Sequence, residues 1–131
     1  MVHGIVKKIM LTGINKYAKK YSESAENVQI KVTINEEGFV VYTMCKNFNN
    51  IENVGFIEIM DKKIDIFGYE QLATPFLGKC LVDFSTEIDV SPLNVSIFII
   101  KYKESVVLAY YNGYLNIKNV TLLKQLESLG I

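Results

Sequence analysis

Residues 95–117 constrain the fold of this chain more than any other stretch. They read as three consecutive antiparallel strands, 95–102, 106–111 and 114–117. Lys103-Glu104-Ser105 joins the first pair and Asn112-Gly113 the second. Asn-Gly is the strongest short hairpin signal, because a two-residue type I′ turn needs φ > 0 at both loop positions. In the first strand Val95, Ile97 and Ile99 alternate with Ser96, Phe98 and Ile100, so both faces are largely apolar. Such a strand is expected at the centre of a sheet, covered on both sides.

The remaining segments are expected to build around this meander. In residues 4–22 a period of 3.6 places Val6, Met10, Gly13, Ile14, Tyr17 and Tyr21 on one arc, with Lys8, Lys16, Lys19 and Lys20 on the other. This predicts an amphipathic helix, with Ile5 and Ile9 projecting into its lysine face. Residues 27–34 and 39–45 alternate as two strands around Asn35-Glu36-Glu37-Gly38. The four asparagines in 46–53 predict a loop, and 54–60 with 63–67 a further hairpin. Residues 68–78 have no clear pattern, and Pro75 is expected to end any helical turn there. Period-two alternation predicts a strand over 80–90, with Asp83, Glu87 and Asp89 on one face. Asn119 is the expected N-cap of a closing helix with Leu122, Leu123, Leu126 and Leu129 as its stripe and Gly130 at its end.

The expected architecture is a single α+β domain over residues 1–131. An N-terminal amphipathic helix packs on a curved, mainly antiparallel sheet of seven or eight strands, and a C-terminal helix closes it. No internal repeat or linker is read in the sequence.

Several function classes have little to stand on. The lone histidine, His3, lies near the N-terminus, so Ser-His-Asp and Cys-His devices have no imidazole in a packed segment. Cys45 and Cys80 make neither a disulfide framework nor a metal-ligand set, and both begin or sit in apolar alternation, as buried reduced thiols do. Neither GxGxxG nor GxxxxGK[ST] occurs. The Asp83, Glu87 and Asp89 row is the strongest acid/base or cation candidate, but a half-solvated strand shows the same alternation. No catalytic, cofactor-binding or metal-binding residue is therefore assigned. The chain has no arginine, which argues against sequence-specific nucleic-acid reading.

Two features point to binding. The chain is 50% hydrophobic with a mean hydropathy of +0.19, more apolar material than one small core needs. Net charge is zero, yet residues 1–22 hold five lysines and no acid, so an acidic partner or an anionic membrane surface would be steered to that end. The expectation is a non-catalytic protein–protein interaction module, a homodimer or a subunit of a larger complex. Its candidate contacts are Ile5, Lys8, Ile9, Lys16, Lys19 and Lys20 on the helix, with Tyr110, Tyr111 and Tyr114 at the hairpin tip. The alternative is a carrier of an apolar ligand or lipid held between the N-terminal helix and the sheet. No apolar run reaches the roughly 18 residues of a spanning helix, and no signal-peptide core follows Lys7 and Lys8, so a cytoplasmic location is expected.

Overall fold

The computed structural model describes the backbone of residues 2–55 and 66–130, with side chains described for 4–55 and 73–130. Helix α1 (Val2–Lys20) leads into strands β1 (Val28–Ile34), β2 (Val40–Lys46) and β3 (Asn49–Val54). Helix α2 (Ile66–Glu87) leads into β4 (Val95–Tyr102), β5 (Ser105–Asn112) and β6 (Leu115–Thr121), and the short helix α3 (Leu122–Ser128) follows. The six strands of the described residues form one antiparallel sheet in the order β3-β2-β1-β4-β5-β6, so the fold is α+β as expected, with six strands described against the seven or eight expected. The apolar strand β4 lies at the centre, paired with β1 and β5.

Both long helices cover the same face of the sheet. Val6, Ile14 and Tyr17 of α1 and Leu77, Leu81 and Phe84 of α2 are buried against Val28, Ile30, Val32, Val95, Ile97 and Ile99. The void left between these layers, bounded by Ile9, Met10, Ile30, Tyr42, Ala73, Leu77 and Ile99, is about 10 Å³.

Four local expectations fail, each for a physical reason. Residues 80–87 are helical, not a strand: Ala73, Phe76, Leu77, Cys80, Leu81 and Phe84 recur at helical spacing and are all buried, whereas Val82 is 44% exposed. Pro75 lies inside α2 on its exposed side. A helix-interior proline costs about 3 kcal/mol, less than the burial of that apolar face returns. Residues 49–53, expected in a loop, form β3 together with Val54, and the asparagines suit an edge strand whose outer side meets water. Thr121, not Asn119, caps α3, accepting a hydrogen bond from the Lys124 N–H, because Asn119 is held in β6 opposite Ala109. Of the hairpin expected at 54–67, residues 56–65 lie outside those described, and Ile66 and Phe67 begin α2.

The chain also contains a repeat that its sequence discloses only once the structure aligns it. Each half runs helix, 3-10 turn, three-stranded meander. Ser24-Ala25-Glu26-Asn27-Val28-Gln29-Ile30 and Ser91-Pro92-Leu93-Asn94-Val95-Ser96-Ile97 share the pattern S-x-x-N-V-x-I. In both, the serine caps a 3-10 turn, with φ/ψ of −67/141 and −65/142. Helices α1 and α2 end alike: Glu23 N–H bonds to Ala18 O at 2.8 Å and Val90 N–H to Ser85 O at 2.9 Å. Ser22 (φ 54) and Asp89 (φ 56) take the left-handed position that such an ending requires.

The outer strands repeat as Asn50-Ile51-Glu52-Asn53-Val54 and Asn116-Ile117-Lys118-Asn119-Val120. The β2–β3 register shifts between Met44 and Cys45, and the β5–β6 register between the equivalent Tyr110 and Tyr111. Even the ion pair joining helix end to third strand recurs, with its charges exchanged: Lys20–Glu52 at 2.8 Å and Glu87–Lys118 at 3.2 Å. Lys31 and Phe98 are equivalent positions and also register partners across β1 and β4, so a pseudo-two-fold axis normal to the sheet passes between them.

Since Pro75 is exposed, Pro75→Ala restores a helical N–H without emptying the core. It is expected to stabilise the protein by about 1–3 kcal/mol in urea denaturation. Phe84→Ala, at an equivalent depth to Tyr17, is expected to cost about 3–5 kcal/mol in the same assay.

Candidate functional site

The face of the sheet turned away from α1 and α2 carries a second, smaller apolar cluster. Cys45, Phe98 and Ala109 are buried, Ile100 and Tyr111 pack on them half-buried, and among the described residues no helical side chain joins them. The ring of Phe48, from the loop after β2, lies over the cluster, 5.2 Å from Phe98 and 5.8 Å from Tyr111 between centroids. Phe98 and Tyr111 meet edge to face at 4.9 Å. Aromatic pairs at such separations contribute about 0.5–1.5 kcal/mol beyond area burial.

Local backbone geometry holds Phe48 there. Lys46 and Asn49 are register partners, so Asn47 and Phe48 form a two-residue loop with φ of 50 and 68. Positive φ at both positions fits the primed turn that matches strand twist, but it is strained for a bulky residue. The Phe48 N–H donates to Gln29 Oε1 at 2.8 Å, which satisfies the buried Gln29 amide oxygen and ties the loop to β1. The equivalent loop of the second half is Gly113-Tyr114 and not the expected Asn112-Gly113, because Asn112 stays in β5 as the register partner of Leu115. Gly113 takes φ +66 at the first loop position, and Tyr114 is fully exposed.

Around the cluster the open face is mixed and nearly uncharged. Gln29, Thr33, Thr43, Asn53, Ser96, Asn116 and Asn119 share it with Val41 and Val107, and Lys31 is its one charge among the described residues. The Lys31 ammonium lies 5.8 Å from the Phe98 ring centre. Beside the cluster a shallow groove of about 410 Å³ runs along Lys31, Thr33, Leu93, Asn94, Val95 and Ser96 to Gly113.

The residues expected at a contact surface do not converge. Ile9 and Tyr110 are buried, at 2% and 1% exposure, and belong to the main core; Tyr110 donates its hydroxyl to Gln125 Oε1 at 2.9 Å. Ile5 packs partly buried on the same core. Lys8, Lys16 and Lys19 lie exposed along the outer side of α1, and Lys20 pairs with Glu52. Tyr111 alone of the hairpin tyrosines joins the open-face cluster; Tyr114 stands off it in the loop.

Phe48, Phe98 and Ile100 were not expected at a site. The two-sided apolar pattern of β4 carried that signal, but it reads equally as a strand buried on both faces.

Elsewhere the chemistry is quiet. Asp83 and Glu87 project from α2, paired with Lys79 at 3.3 Å and Lys118, and do not share a sheet face with Asp89. Among the described residues no group of three or more His, Cys, Asp or Glu side chains is placed to hold a metal ion. Among them, too, no helix is long and apolar enough to cross a membrane. A crevice of about 410 Å³ opens where α1 begins, lined by Gly4, Lys7, Val106, Leu122, Leu123 and Leu126. No family model, curated protein or solved structure matches this chain.

Burial pushes the thiols of Cys45 and Cys80 from an ordinary value of 9.0 up to about 11. An acid whose folded-state value is raised adds stability that is complete below its unfolded value and is lost as pH rises through the folded one. Urea stability is therefore expected to fall from about pH 9 towards pH 11. At neutral pH the thiolate fraction is about a hundredfold below that of a free cysteine, so native-state labelling by a disulfide reagent is expected to be correspondingly slow.

Proposed function

We propose that this protein is a non-catalytic interaction module whose contact surface is the open face of the sheet. The observation that carries this reading is the ring cluster of Phe48, Phe98 and Tyr111, which lies outside the main core and, among the described residues, includes no helical side chain. A sheet with one face packed and one in water normally alternates apolar and polar residues along each strand. β4 and β5 depart from that pattern at Phe98, Ile100 and Tyr111. Aromatic residues in an uncharged setting are the usual composition of the centre of an interface, and asparagines at the margin suit its hydrated rim.

The lysines of α1 supply the second element. They lie on the opposite side of the molecule from the ring cluster, so they steer encounter with acidic surfaces without entering the apolar contact.

A second reading, the apolar-ligand carrier, draws support from the crevice beside α1, whose lining combines leucines and Val106 with Lys7. That site would take a short amphipathic molecule with an anionic head. Native mass spectrometry of freshly purified protein tests it: heterogeneous added mass that disappears in Leu126→Gln favours the carrier, and bare protein counts against it.

The interaction reading is tested by immobilising the full chain, wild type and Tyr111→Lys, in an extract of the cells that produce it. A partner retained by the wild type and at least about tenfold depleted on the variant is expected, the loss typical of an interface aromatic. Equal retention on both, or none on either together with a monomeric wild type, would sink the reading.

A further inference from the structure

We infer that the acidic aromatic turn Glu36-Glu37-Gly38-Phe39 of one copy of this chain enters the Lys31 groove of a second copy, and the reverse, at one end of the sheet. This goes beyond the open-face reading: it concerns a surface distinct from the ring cluster, and different substitutions break it.

The strand register sets the turn and the groove side by side. β1 runs antiparallel to β2 and β4, and β4 to β5, so the end of β1, the starts of β2 and β4 and the end of β5 lie together. The β1–β2 turn, the 3-10 turn before β4 and the Gly113-Tyr114 loop all leave the sheet there. Each holds a large apolar side chain in solvent: Phe39 is 68% exposed, Leu93 52%, and Tyr114 fully. The internal repeat shows that the fold does not require this. At the opposite end the equivalent positions are Ser105, Glu26 and Phe48, and the Phe48 ring is drawn onto Phe98 and Tyr111.

The groove is the counterpart of the seat that Phe48 occupies. Lys31 and Ser96 in its lining are equivalent to Phe98 and Gln29, which hold the Phe48 ring and its N–H. Tyr114 does not fill this counterpart. Phe48 reaches its seat with a φ of 68, whereas Tyr114 takes no positive φ and its side chain is wholly in solvent. One end of the molecule thus shows an aromatic ring seated in such a site, and the other leaves the site open to a ring from outside.

Charge then names the ring. Lys31 is half-buried and makes no ion pair among the described residues; Glu36 and Glu37 are exposed and likewise make none. When Phe39 enters the groove it brings a carboxylate to the Lys31 ammonium, which also lies against the ring, and Leu93 adds an apolar wall. A groove of about 410 Å³ has room for a phenyl ring with a carboxylate beside it. Because turn and groove share one end of the molecule, a two-fold axis engages both at once, and the assembly closes as a dimer instead of extending as a filament. Two such contacts bury on the order of 800–1,000 Å², at the weak end of specific interfaces.

The test is sedimentation velocity of the full chain from dilute to millimolar concentration. The wild type is expected to pass from 14.9 kDa towards twice that mass and no further. Phe39→Ser, which copies Ser105 at the equivalent position, is expected to raise the dissociation constant at least about tenfold, as is Glu36→Lys/Glu37→Lys. Adding Lys31→Glu to that pair reverses both sides of the contact and is expected to restore the constant to within about threefold of the wild type. Val82→Lys, on the outer side of α2, leaves it unchanged. Thermal melting confirms that each variant is folded; if the triple variant is not, Lys31→Met, expected to weaken the dimer about fivefold, replaces it. A monomer at every concentration overturns the inference, as does growth beyond a dimer, a dimer indifferent to Phe39→Ser, or a folded triple variant as weak as its Glu36→Lys/Glu37→Lys parent. A monomeric wild type whose extract partner is still lost in Tyr111→Lys overturns the second copy alone and leaves the open-face reading standing.

Discussion

The antiparallel pairing of β1 with β4 is the constraint on which the rest of the structure depends. It joins two three-stranded meanders into one sheet, and among the described strands it is where the two halves meet directly. A unit of about sixty residues buries too little surface to be more than marginally stable alone. Joined at their first strands, the halves share one continuous core. Val28, Ile30 and Val32 lie beside Val95, Ile97 and Ile99, and residues of both α1 and α2 close over all six. The symmetry of this joint also explains why both helices lie on one face: an axis normal to the sheet exchanges them without moving either to the other side.

Repetition of a backbone does not require repetition of side chains, and the ways in which the halves differ are informative. Where packing is dense, substitution has kept hydrophobic character and approximate volume, as close-packed interiors demand. Where two charges meet at the surface, the pair has been kept with its signs reversed, because Lys20–Glu52 and Glu87–Lys118 serve the same link between helix end and edge strand. On the open face character itself has changed at two equivalent positions, Lys31 against Phe98 and Thr33 against Ile100. That difference carries the functional reading, and the strained loop conformation of Phe48 belongs with it. Positive φ on a phenylalanine persists only where surroundings over-determine it, here through the Gln29 hydrogen bond and two ring contacts.

The structure also accounts for what the reactive side chains do. Cys45 sits beneath the ring cluster with its thiol towards Asn50 Oδ1 at 3.4 Å, and Cys80 faces the core from α2. Both act as small apolar groups, filling sites that a larger side chain would force open. Of the carboxylates that alternation placed in a row, Asp83 and Glu87 lie on the outer side of a helix, paired with Lys79 and Lys118, and Asp89 takes the left-handed position just after it.

By itself the sequence determined the elements whose period and turns agree: α1 from its apolar arc, the β1–β2 hairpin from strict alternation, and the three-strand meander that begins with β4 at the centre of the sheet. It determined the buried thiols and the Gly130 ending, since local chemistry suffices for each. Tertiary structure decided the rest. Over residues 80–90 apolar side chains fit both a period of two and a period of 3.6, and only the curved surface offered by β1 and β4 selected the helix, overriding Pro75. The edge strand β3 looked like a loop because asparagine propensity is weak beside the pairing offered by an already formed β2. The repeat stayed hidden because S-x-x-N-V-x-I and N-I-x-N-V are too short to stand out until equal registers align them. The open-face cluster was legible only as an apolar strand, because which of its two faces lacks a helix is settled by where α1 and α2 pack, and no local pattern in β4 records that.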